Sequence, residues 1–66
     1  MDLDLIYKEL GYTNLFKFLC RLRKDGHINT SGYQLERIQR QLDRFKVNYR
    51  ILDIGYGFKI ELKEEL

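Results

Sequence analysis

No proline interrupts this chain, no tryptophan occurs in it, and cysteine, histidine and methionine appear once each. Each shortage excludes something. The lone Cys20 has no partner in the chain for a disulfide, and together with His27 it cannot fill a tetrahedral zinc site. No apolar run approaches the roughly 20 residues needed to span a membrane, and Met1–Asp4 is acidic, unlike the start of a signal peptide. There is no Pro/Ser-rich or low-complexity run, no linker and no internal repeat. His27 has no Ser, Cys or carboxylate constellation around it in sequence, and no helix follows Gly55 and Gly57 to make them a phosphate loop. A soluble cytoplasmic protein is expected, not an enzyme, with no catalytic residues, no metal and no cofactor.

What remains is the composition of a folded protein. The 66 residues include nine aromatics, and they suffice for a single domain over 1–66. A chain of this size buries only about 60% of its unfolded surface, which leaves a homodimer open. Phe16, Tyr49 and Ile54 are the apolar residues left over for such a contact. The formal charge of +2 is unevenly placed. Lys17 to Arg50 holds nine basic residues against three acids, and the rest holds three against seven. A basic middle between acidic ends gives a polarised field that favours an anionic partner on one side.

Hydrophobic spacing predicts helices over 3–10, 14–25 and 32–45. In the first, Leu3, Ile6, Tyr7 and Leu10 recur at helical intervals before Gly11. In the second, Leu15, Phe18, Leu19 and Leu22 form a stripe opposite Lys17, Arg21 and Lys24. Thr13 or Asn14 caps its start, and Gly26 ends it in a left-handed conformation. Cys20 lies at the edge of the stripe as a small hydrophobe; Phe16 lies off it and either widens the core or marks an interface. His27–Thr30 is a connection or a short strand. Ser31 and Gln34 then match a capping box, and Leu35, Ile38, Leu42 and Phe45 form the third stripe. After Phe45 the period becomes that of strands. Val47, Tyr49 and Ile51 alternate with polar residues, as do Phe58, Ile60 and Leu62, around the turn signal "DIGYG". The expected fold is α+β: three short helices followed by a C-terminal antiparallel hairpin of 47–53 with 57–63, Phe58, Ile60 and Leu62 facing the helices.

The segment "SGYQLERIQRQLDRFKVNYRILDIGYGFKIEL" resembles the recognition helix and wing of winged helix-turn-helix domains in two-component response regulators and related repressors. Ile38 and Leu42 match the helix core, Ile51 the wing strand, and Gly55, Gly57 and Phe58 the wing end. The likeness covers about half the chain, and Asp53 and Ile54 stand at the wing tip where a basic residue is usual. It implies a winged-helix-like domain and double-stranded DNA as partner. "LIYKELGYTNLFKFLCRLRKDGHI" resembles a helix-turn-helix as well. Its second helix ranks lower as a reader because its face of Lys17, Arg21 and Lys24 offers no Asn or Gln to a base edge.

At 100° per residue, Arg37, Arg40 and Arg44 fall within a sector of roughly 60° opposite the apolar stripe of the third helix, with Tyr33 among them. Gln34 and Gln41 flank that sector on one side, Glu36 and Asp43 on the other. Arg40 is placed to pair with Glu36 or Asp43, whereas Arg37 and Arg44 have no evident partner. These two suit a phosphate or a guanine edge, and the glutamines suit adenine. Tyr33 is placed to donate to a phosphate or touch a base, and Tyr56 at the turn is a wing contact or a plain surface aromatic. Arg50 and Lys59 would anchor the hairpin to the backbone. The expected DNA-binding set is therefore Tyr33, Gln34, Arg37, Arg40, Gln41, Arg44, Arg50 and Lys59, serving a small sequence-specific or architectural DNA-binding protein, a transcriptional regulator or a DNA-architectural protein such as an excisionase-like factor. The alternative is a small protein-binding module, an inhibitor or adaptor of the phage or mobile-element type, whose arginines are an ordinary solvated face.

Overall fold

Side-chain caps start each helix in the computed structural model, which describes residues 1–63. The Asp2 carboxylate accepts from the Leu5 amide at the start of α1 (Leu3–Leu10), and the Thr13 hydroxyl accepts from the Phe16 amide at the start of α2 (Asn14–Asp25). Gly26 ends α2 at φ 82°, and its amide donates to the Leu22 carbonyl. At α3 (Gly32–Arg44) the Ser31 hydroxyl accepts from the Gln34 amide at 3.4 Å. The reciprocal bond of a capping box is not made, and the Gln34 carboxamide has no hydrogen-bond partner among the described residues. α3 closes in a Schellman motif. The Val47 amide reaches the Leu42 carbonyl and the Lys46 amide the Asp43 carbonyl, with Lys46 itself at φ 57°.

Over the described residues the fold is α+β, with three helices and a three-stranded antiparallel sheet. One expectation needs correcting: the helices do not simply precede a hairpin. His27–Thr30 is a strand, β1, between α2 and α3, and it pairs with the last strand. The order is β1-β3-β2, with β2 at Tyr49–Asp53 and β3 at Phe58–Leu62. The hairpin is thus a little shorter than predicted, because Val47 is consumed by the helix cap. β1 could form because its alternation is good, Ile28 and Thr30 inward, His27 and Asn29 outward. Four residues were too few for that alternation to declare a strand in sequence. Capturing β1 puts β3 in the middle, its ladder satisfied on both sides.

The register aligns Ile28, Ile60 and Ile51 in one row across the inner face. Ile60 is fully buried there and meets Ile6, Phe16, Leu19, Leu22, Ile28, Ile38 and Leu42 in one core. Each such side chain contributes about 1.5–3 kcal/mol through burial. Phe16 is therefore a core residue and leaves the set available for a dimer contact. Tyr7 packs edge-on against it, with ring centroids 5.3 Å apart. Cys20, Tyr49 and Ile54 are half-buried, Cys20 and Tyr49 against the core.

The turn of the hairpin is built by Asp53, whose carboxylate accepts from the Gly55 amide at 2.8 Å, with Gly55 at φ 92°. Gly57 is needed for another reason. A Cβ there would lie 2.8 Å from the Thr30 carbonyl oxygen, so only glycine lets the hairpin close over the end of β1. Phe58 in turn reaches the start of α3, where a Cβ added at Gly32 would lie 3.4 Å from its ring. The hairpin tip and the first turn of α3 are thereby held at the same end of the molecule. No helix among the described residues is long and apolar enough to cross a membrane.

Candidate nucleic-acid interface

α3 presents its arginines as a face, but its neighbours take two of the three. Arg44 is paired after all: its guanidinium lies 2.8 Å from Glu9 of α1 and over the Phe45 ring. Glu9 is 35 residues away in sequence, so no local pattern could disclose it. Arg40 pairs loosely with Glu36 at 3.5 Å, as the spacing predicted. Asp43 does not share it, because that carboxylate accepts from the Tyr49 hydroxyl at 2.7 Å. Burial, and then the Asp43 carboxylate, push the Tyr49 hydroxyl above the usual tyrosine range. Arg37 alone keeps a free guanidinium among the described residues of this helix.

The other predicted contacts separate similarly. Tyr33 is 85% exposed at the start of α3. Gln34 is half-buried and turned toward α2. Gln41, expected beside it as a base reader, is half-buried too, with its side-chain oxygen shut away from solvent and unpartnered. It is poorly placed to meet a ligand. Arg50 and Lys59 are not free on the strands either. The register sets Arg50 opposite Glu61 on the outer face of the sheet, and their side chains meet at 2.6 Å. Lys59 reaches the same carboxylate at 3.7 Å. The Arg50 hydrogen bond, with the charges of Arg50 and Lys59, holds the Glu61 carboxyl below the usual glutamate range against partial desolvation.

What α3 loses at Arg44 it gains from α2. Asn14, Leu15, Phe18, Gln34, Arg37 and Ile38 line a cleft of about 160 Å³ between the two helices. A second hollow continues it along Asn14, Lys17, Phe18, Arg21 and Gln34. Leu15, Phe18 and Ile38 give the first hollow its apolar lining beside Arg37, and Phe18 lines the second with Lys17 and Arg21. None of these cations has a carboxylate partner among the described residues; Lys17 rests over the Tyr12 ring at 5.0 Å. Taken singly, each hollow is smaller than the roughly 300–1,000 Å³ of small-molecule pockets. It suits a ligand that lies across it.

The sequence led to two helical faces as rival binding surfaces; in the fold Lys17 and Arg21 of one and Arg37 of the other line adjoining hollows, while Arg40 and Arg44 lie elsewhere. Asn14, Lys17 and Arg21 are the members that sequence reasoning left out of the site. The basic face of the second helix was legible, but its rotation toward Arg37 depends on how the core packs. No family model matches this chain, and no curated protein or solved structure matches it either.

Proposed function

We propose that the protein is a small DNA-binding regulator, working in the cytoplasm, that docks on duplex DNA with the seam of α2 and α3. The observation that carries this reading is that Lys17, Arg21 and Arg37 line two adjoining hollows between α2 and α3 with no carboxylate partner among the described residues. Arg37 lines one hollow and Lys17 and Arg21 the adjoining one, so an anionic backbone lying across both would meet three cations of one sign. The exposed first half of α3, with Tyr33, Gln34 and Arg37, is the part offered to the major groove. Tyr56, 88% exposed on the hairpin tip, stands at the same end of the molecule as a wing contact. Arg44, Arg50 and Lys59 take the supporting role of holding the fold's charges in place, and Arg40 stays on the solvated side.

A second reading rests on the apolar floor of the cleft, Leu15, Phe18 and Ile38. An acidic segment of another protein, with one apolar side chain seated there, would be complementary too. The salt dependence of binding to mixed-sequence duplex DNA separates the two. Phosphate contacts release counterions, so affinity must fall steeply as salt rises. Absence of any duplex association at physiological salt would leave the protein-partner reading.

A further inference from the structure

Two side chains on the cationic cleft carry no charge and no partner. Asn14, in the first turn of α2, and Gln34, in the first turn of α3, line both hollows. Neither carboxamide makes a hydrogen bond among the described residues. For Gln34 this is informative, because its position would let it close a capping box, and it does not. The other uncharged amides are engaged or elsewhere. Gln41 has its oxygen shut inward, Gln39 lies beside the Tyr49 hydroxyl, Asn48 is engaged, and Asn29 sits on the outer face of the sheet. The two hollows thus hold one matched pair of donor–acceptor groups contributed by two different helices.

We infer that Asn14 and Gln34 together read adenine edges at neighbouring base pairs, so that the α2/α3 cleft selects A·T-containing sites rather than gripping any duplex alike. The inference rests on the DNA reading above and adds its sequence preference. A carboxamide sets one donor beside one acceptor, which complements the N7 acceptor and N6 donor of adenine in the major groove; guanine offers two acceptors there and is served by an arginine. Lys17, Arg21 and Arg37 supply the phosphate contacts that fix the register, and these say nothing about sequence. The two amides therefore decide where the protein stops, and the three cations decide how tightly it holds.

The experiment is selection from a randomised duplex pool, followed by binding to the selected site with 7-deazaadenine at each adenine, which deletes the N7 acceptor. The parent should enrich sites with an adenine whose replacement weakens binding about tenfold. In Gln34→Met or Asn14→Ala that replacement should have no effect at the position the lost amide read, while the salt dependence stays that of the parent. Neither amide supports the fold, and far-ultraviolet circular dichroism of both variants checks this. Salt-dependent binding with no enriched adenine, or variants that keep the parent's preference, would overturn the inference and leave the DNA reading intact. No duplex binding by the parent would remove both.

Discussion

The cleft between α2 and α3 and the outer face of the sheet both display arginine and lysine, yet they are electrostatically opposite in effect. On the sheet, strand alternation and register deliver Glu61 directly to Arg50 and beside Lys59. On the helices, the acids that share the basic segment are kept away: Asp25 at the far end of α2, Glu36 with Arg40, Asp43 with Tyr49. A count of charges along the chain treats the two regions alike. Only pairing geometry shows that one is neutralised and that the other has no carboxylate partner among the described residues, and such a cluster is the one with free energy to gain from an anion.

Both regions stand on one core, so the largest effect should come from striking it. Ile60→Ala removes the fully buried side chain between Ile28 and Ile51 and should cost about 2–5 kcal/mol in stability. Chemical denaturation followed by helix ellipticity and by tyrosine fluorescence should give one coincident transition. Helices that outlast the sheet would mean that the two surfaces belong to separate cooperative units. Gly57→Ala should come next, at about 1–3 kcal/mol, since its Cβ would press on the Thr30 carbonyl oxygen 2.8 Å away. A variant as stable as the parent would show that the hairpin end tolerates displacement.

Removing charge distinguishes the surfaces directly. Lys17→Ala, Arg21→Ala and Arg37→Ala combined should lower the slope of log affinity against log salt by roughly 2–3 on duplex DNA. Arg50→Ala with Lys59→Ala should change it by less than about 1. Equal losses would place the phosphates on the sheet as much as on the cleft. Glu61→Gln sharpens the contrast from the other side, because it frees Arg50 and Lys59 and should tighten binding at low salt. The same variant tests the pH dependence. The Glu61 carboxyl is held below the ordinary glutamate range in the fold, so its ion pairs stabilise the protein above that range. The contribution is lost as pH falls through the depressed value. Acid unfolding of Glu61→Gln should lack this segment, and an unchanged profile would show that the pairing contributes nothing.

Much of this fold could be read from periodicity. The helix boundaries at Leu10, Asn14, Asp25 and Gly32 follow from local signals, a cap or a glycine at each end, and such signals act within a few residues. β1 was less legible because a four-residue segment gains its identity from the partner that pairs with it. The site divided along the same line. Arg37, Gln34 and Tyr33 sit where the helical wheel put them. The pairing of Arg44 with Glu9, and the meeting of Arg37 with Lys17 and Arg21, depend on the angle at which helices pack on the sheet. The wheel gives directions from one axis only, so it could not tell which arginine would find an acid.

The finest test therefore lies along α3 itself, in three arginines that the helical wheel treats as equals. Arg37→Ala should weaken duplex binding most, by about 1–3 kcal/mol if the guanidinium meets a base and less if it meets phosphate. Arg44→Ala should weaken it little, because Glu9 and the Phe45 ring already hold that side chain. Its cost should appear instead in stability, and only up to about 1 kcal/mol, since both members of the pair are half exposed. Arg40→Ala should do least of all. Its partner Glu36 is exposed at 83%, and a pair so open to solvent is screened and loosely held. Equilibrium binding to one mixed-sequence duplex across a salt series, with denaturation of the same samples, ranks the three. Arg44→Ala losing as much affinity as Arg37→Ala would mean that DNA pulls Arg44 away from Glu9, and the seam would then extend along the whole of α3 instead of ending at its first half.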